Sequence, residues 1–81
     1  MTQSLAVRYA KDNIRINSVC PGYIETNMTK DLDQDYLKAL HPIGRLGKPE
    51  EIANVINFLV GPEASFITGE SIIVDGGYSM I

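Results

Sequence analysis

Three places in this sequence carry side chains able to do chemistry: His41, Cys20 and the run Asp75-Gly76-Gly77. To act as a general base or a metal ligand His41 needs a partner, and the chain has no second histidine and no cysteine or paired carboxylate at ligand spacing. Pro42 follows it and biases it toward an extended backbone. His41 therefore reads as neither base nor ligand. Cys20 lies between Val19 and Pro21 with no histidine or cluster of cations beside it, so its thiol reads as buried and structural rather than reactive. Asp75 offers a single carboxylate, which makes no metal site, and the glycines after it read as a turn needing positive φ or close backbone approach. No catalytic residue and no metal ligand is assigned.

A binding site is easier to place than a catalytic one. Residues 17–26, Asn-Ser-Val-Cys-Pro-Gly-Tyr-Ile-Glu-Thr, end an apolar extended segment in a Pro-Gly break and continue as a polar loop with a threonine hydroxyl. In open parallel sheets ligands sit beyond the carboxyl ends of the strands, so a strand stopping at Pro21-Gly22 aims its loop at such a crevice. An ordinary strand-to-loop turn is the other reading of the same residues.

The elements that must position this loop follow from periodicity. Residues 1–11 read as a helix, with Leu5, Ala6, Tyr9 and Ala10 at helical spacing, stopped by Asp12-Asn13. Thr2 or Ser4 could cap a shortened version. Residues 14–20 read as the first strand, in which Asn17 and Ser18 need partners from the backbone of an adjacent loop. The polar region 25–48 is long for a loop and reads as a lid, with one or two short amphipathic helices between Asn27 and His41. Pro49–Val60 is the clearest helix: proline and two glutamates occupy its first turn, and Ile52, Val55, Ile56, Leu59 and Val60 form one apolar stripe that Gly61-Pro62 ends. Thr68-Gly69 turns the chain into a last strand, Ser71–Val74. The tail, residues 78–81, is apolar enough to dock on a partner or on its own domain.

Length and composition limit what these elements can build. With 81 residues and 44% apolar side chains, the chain is at most one small domain that needs a core and buries a modest share of its surface alone. A net charge of −3 with interspersed signs leaves no footprint for nucleic acid or an anionic membrane. No apolar run is long enough to span a bilayer and no leader pattern opens the chain, so a cytoplasmic location is expected. A strand, a helical crossover and a second strand make one right-handed parallel unit, which gives an α/β class. Two strands are too few for a stable covered sheet.

Three spaced motifs carry a resemblance. They are Asn-x-x-x-Pro-Gly-x-Ile-x-Thr at residues 17–26, Gly-Arg-Leu-Gly-Lys-Pro-Glu-Glu-Ile-Ala at 44–53 and Thr-Gly-Glu-Ser-Ile-Ile-Val-Asp-Gly-Gly at 68–77. In this order and at these separations they resemble the C-terminal part of the short-chain dehydrogenase/reductase family, over essentially all of residues 1–81. The resemblance implies the C-terminal part of a Rossmann-like doubly wound parallel sheet, ordered helix, strand, lid helices, helix, strand, with residues 27–48 as the substrate lid. It also implies NAD or NADP as cofactor. Pro21 and Gly22 would shape a loop against the nicotinamide, the Ile24 backbone would bond the carboxamide, and the Thr26 hydroxyl would bond the carboxamide or pyrophosphate. A backbone N–H and C=O together match the donor and acceptor of a flat amide. The last helix, strand and tail resemble the surfaces through which family members form homo-oligomers.

The sequence departs from the family pattern in what it lacks. The glycine-rich phosphate loop, the Asn-Ala-Gly turn, the catalytic serine and the Tyr-x-x-x-Lys pair are not in it, and Tyr9 and Lys11 stand two apart rather than four. The expectation is a chain that starts a few helical turns after the family's catalytic lysine. The resemblance thus implies the C-terminal part of an oxidoreductase that interconverts a small-molecule alcohol and carbonyl, inactive alone. A non-catalytic interaction module and a truncated product without independent function are the alternatives.

Overall fold

The computed structural model describes residues 1–80. Helix α1 spans Thr2–Tyr9 and tightens into a 3-10 turn, Ala10–Asp12, which Asn13 closes in the left-handed conformation at φ 62°. Neither Thr2 nor Ser4 caps it: Met1 holds the N-cap position without a side-chain bond, and the Ser4 hydroxyl donates to the Met1 carbonyl instead. Strand β1 spans Ser18–Pro21, α2 Gln34–Ala39, α3 Pro49–Val60 and β2 Ser71–Val74, with 3-10 turns at Pro62–Ala64 and Tyr78–Met80. The strands lie side by side and parallel, Ser18 opposite Ser71 and Pro21 opposite Val74, so the chain between them, with α2 and α3, forms the crossover.

The laddered strand is shorter than the apolar run at 14–20. Before Ser18 one backbone bond remains, from the Gly69 N–H to the Ile16 carbonyl at 2.8 Å, and side chains make the others. Asn17 donates from Nδ2 to the Ile67 carbonyl and accepts the Glu70 N–H on Oδ1, and the Ile16 N–H donates to the Thr68 hydroxyl. Asn17 thus finds the backbone partners that its place in the sequence demands, and in taking them it holds the ends of the two strands where no regular pairing forms. Ser18 finds a hydroxyl partner, Ser71, at 2.8 Å.

Helix α3 begins and ends where its sequence indicates, and its C-terminus is secured from a distance. Gly61 is extended (φ −86°, ψ 171°), not left-handed. The terminal carbonyls go instead to Arg15, whose guanidinium donates to Leu59 and Ala64 at 2.7 Å each and to Gly61 at 3.3 Å. A cation at this end also opposes the negative pole of the helix. Leu59 is buried while Val60, on the same stripe, is 72% exposed.

The buried hydrophobic residues are Ala6, Leu37, Leu46, Leu59 and Ala64. Ala6 seats α1 on the turn at Gly69, where an added Cβ would meet its methyl at 3.4 Å. Cys20 is exposed, contrary to the buried thiol expected from its apolar neighbours. Val19 faces a groove with Ile56 and Leu59 of α3, and alternation turns Cys20 to the other face of the sheet, where its neighbour Ile73 is exposed as well.

Candidate functional site

Both strands end at the same level, and the segments leaving them build the site. The Gly22 N–H donates to the Val74 carbonyl, which extends the pairing one residue past β1. Glycine is required here by space rather than by φ: a Cβ would lie 2.8 Å from Cβ of Asp75, 3.0 Å from its Cα and 3.3 Å from Nε2 of His41. Two residues on, the chain pairs once more, Ile24 with Gly47 just before α3, through Gly47 N–H to the Tyr23 carbonyl and Glu25 N–H to the Gly47 carbonyl. In that pattern the N–H and C=O of Ile24 itself face away from Gly47. The carbonyl accepts from the Thr29 hydroxyl at 2.9 Å and keeps a second lone pair.

Thr26 closes the loop. Its N–H donates to Oγ1 of Thr29, and its own Oγ1 accepts the Met28 N–H at 3.2 Å, so the hydroxyl oxygen is fixed while its hydrogen has no acceptor among the described residues. Pro21 and Thr26 are exposed, Gly22 and Ile24 half-buried. Of the four residues singled out in the sequence, Pro21 is the last residue of β1, and Gly22, Ile24 and Thr26 follow it on one loop; Ile24 lines a cleft of about 320 Å³ together with Tyr23, His41, Arg45 and Asp75.

The glycines after Asp75 take the positive φ their sequence indicates, Gly76 at 59° and Gly77 at 93°. That turn lets Asp75 accept the Gly77 N–H on one carboxylate oxygen and the Ser79 N–H on the other. Burial pushes the Asp75 carboxyl up, but the bonds from Ser79 and Gly77 and the nearby His41 outweigh it and hold it below its ordinary value. Across the cleft Arg45 forks onto Glu51 at 2.7 and 2.9 Å. That bond, with the Lys48 N–H, draws Glu51 down to about 2, and the Arg45 guanidinium is raised in return. Both charges are thus spent on each other and on fixing the start of α3.

His41 is the residue whose importance the sequence does not show. It is 3% exposed, its Nδ1 lies 2.8 Å from the Leu37 carbonyl at the end of α2, and its ring packs between Tyr23 and Tyr78 at centroid distances of 5.9 and 5.5 Å. The one usable signal is its position four residues after Leu37, in reach of the last turn of a short helix. Of the tail, Tyr78 docks on its own domain, edge-on to Tyr23, while Met80 is exposed; Ile81 lies outside the described residues. Among the described residues no group of three or more His, Cys, Asp or Glu side chains converges on a metal position, and no helix is long and apolar enough to cross a membrane.

The family model described as enoyl-(acyl carrier protein) reductase matches residues 1–79. Cyclohexanol dehydrogenase of Acinetobacter sp. (strain SE19) is 49% identical over 79 residues, covering 98% of this chain and 32% of that protein. The 3-oxoacyl-(acyl-carrier-protein) reductase FabG of Vibrio harveyi is 47% identical over 83 residues, covering 99% and 34%. A short-chain dehydrogenase family protein from Francisella tularensis superposes with a TM-score of 0.91 at 36% identity, over 100% of this chain and 39% of that one. The chain belongs to the short-chain dehydrogenase/reductase family. It spans about a third of the length of the curated relatives it matches. In short-chain dehydrogenase/reductase terms, its helices and parallel strand pair are part of a Rossmann-like α/β fold.

Proposed function

We propose that this chain is the nicotinamide-side, lid-bearing third of an NAD(P)-dependent oxidoreductase that interconverts a small-molecule alcohol and carbonyl, and that it has no turnover alone. The observation that carries this is the orientation of Ile24. Its N–H and C=O face away from the lid residue it pairs with, and the Thr26 hydroxyl hydrogen beside it is free to donate. A donor and an acceptor on one backbone unit match the acceptor and donor of a carboxamide, and the hydroxyl next to them can donate to the carboxamide oxygen or to a pyrophosphate oxygen. Pro21 ends the strand, and Gly22 lets the loop leave it without displacing Asp75.

Nicotinamide, when bound, exchanges a hydride with the substrate carbon. Ile24 and Thr26 hold and orient the ring, and the region 27–48 covers it, with Met28 and Leu32 exposed as apolar surface for substrate. Ile24, Thr26, Met28 and Leu32 carry no group that exchanges a proton at neutral pH, so none of them is the acid that serves the carbonyl oxygen. Family relatives acting on cyclohexanol and on 3-oxoacyl groups support the alcohol–carbonyl chemistry. A cytoplasmic setting, with its nicotinamide pool, goes with the proposal, as does self-association through α3, β2 and the tail.

Two measurements test it. The purified chain with NADH or NADPH and cyclohexanone is expected to leave the nicotinamide absorbance at the buffer rate; saturable oxidation would overturn the claim of no turnover. Sequencing the reading frame upstream of Met1 is expected to show an in-frame Tyr-x-x-x-Lys; a frame without one leaves the interaction module as the better reading.

A further inference from the structure

His41 is a buried titratable group for which the proposed chemistry has no use. The Leu37 carbonyl can only accept, which assigns the proton to Nδ1 and leaves Nε2 as a bare acceptor. Nε2 has no hydrogen-bond partner, although it is closed off from solvent. It stands in the space that Gly22 leaves free beside Asp75. One imidazole therefore touches the end of the lid helix, the first residue of the loop after β1 and the turn after β2.

We infer that His41 is a positioning residue for the loop 21–26, and that gaining a proton at Nε2 displaces that loop together with the turn at 75–79. The inference rests on the reading of 21–26 as the nicotinamide-facing loop only for its consequence, not for its geometry. The groups that face the imidazole are Tyr23 from the loop after β1 and Asp75 and Tyr78 from the segment after β2. Arg45 and Glu51 line the same cleft but are engaged with each other. In the neutral ring Nε2 needs no acceptor. Once protonated it becomes a buried donor, and the one carboxylate near it, Asp75, already accepts from Gly77 and Ser79. Each Asp75 oxygen keeps a lone pair, but Nε2 makes no hydrogen bond to it where the ring stands, so to reach it the ring and Gly22 or the 75–79 turn must shift, which moves the loop.

The test uses the full chain, labelled with 15N. It has a single histidine, so its imidazole signals are unambiguous. The expected spectrum above the transition is that of the Nδ1–H tautomer. On acidification the amides of Gly22, Tyr23, Ile24, Gly77 and Ser79 are expected to shift with the same midpoint as the ring nitrogens. An imidazole that titrates while these amides stay still overturns the inference. His41→Asn, whose amide can donate to Leu37, is expected to keep the neutral-state amide positions and lose that pH response. His41→Phe keeps a ring but no donor, and is expected to displace the loop amides at neutral pH; wild-type positions in this variant contradict a positioning role. If either variant unfolds, the wild-type titration still decides. No nicotinamide enters these readouts, so a chain that fails to bind NADH leaves the inference standing, and a still loop sinks it without touching the assignment of Ile24 and Thr26.

Discussion

Gly22 is the position where a single methyl group is expected to do the most damage. A Cβ there would sit 2.8 Å from the Asp75 Cβ, with backbone behind it, so no side-chain rotation relieves the contact. Gly22→Ala is expected to lower stability by about 1–3 kcal/mol, the usual cost of overpacking, read as a lower urea midpoint with an unchanged slope. A variant as stable as the parent would mean that the two strand ends are not in contact. The carboxylates give a second residue-scale expectation. Glu51 is lowered from 4.5 to about 2, and a depressed folded-state value means stability that is fully present above 4.5 and lost as pH falls toward 2. Asp75, lowered from 3.8, acts with the same sign below that value. Because Arg45 and Glu51 remain near half exposed, salt is expected to screen their part. Thermal midpoints of wild type and Glu51→Gln, followed from neutral pH down to about 2, are expected to converge as the carboxylate protonates. A constant gap between them would contradict the fork onto Arg45. The sequence showed the glycines and the acid pair but not their partners, since Gly22 and Asp75 are far apart in the chain.

Among the elements, α3 and β1 differ in how their ends are fixed. The start of α3 is local: Pro49 supplies the fixed φ, and Glu51 accepts the Lys48 N–H three residues back. Its end is not, because the carbonyls of Leu59 and Gly61, with that of Ala64 in the 3-10 turn that follows, converge on Arg15, far away in sequence. Arg15→Ala is expected to cost about 1.5–3 kcal/mol, the range for hydrogen bonds to a charged group whose partners are left behind. Arg15→Lys is expected to recover part of it, since an ammonium cannot span several carbonyls as a planar fork does. Equal urea midpoints for the wild type and both variants would show that the cap contributes nothing. For β1, alternation of apolar residues marked an extended segment correctly but not its ladder. Residues 14–17 have the composition of a strand, yet apart from the Gly69 N–H donated to the Ile16 carbonyl, side chains of Asn17 and Thr68 supply the bonds there.

At the scale of the molecule the shape is the informative quantity. The radius of gyration is 15.2 Å with extents of 47 × 23 × 20 Å, against about 12 Å for a compact chain of this length. Phe66 is fully exposed, and Ile56, Phe58 and Val60 of α3 and Ile73 of β2 are bare as well. Apolar surface of this kind, next to open strand edges, favours association. The isolated chain is expected to scatter light as a species larger than a monomer at tens of micromolar and to shrink on dilution. A constant monomer mass across that range would show that the bare faces are tolerated in water.

Taken alone, the sequence determined the order of elements, both ends of α3, the turns at Gly69 and Asp75-Gly76-Gly77, and the loop at residues 21–26. Those features come from local φ preferences, dipole and cap chemistry, and hydrophobic period, which act over a few residues. Tertiary structure decided that Cys20 faces outward, that Arg15 closes α3, and that His41 joins the end of α2 to the segments leaving both strands. Each of these is set by what a side chain meets across the fold, and spacing along the chain carries no record of that.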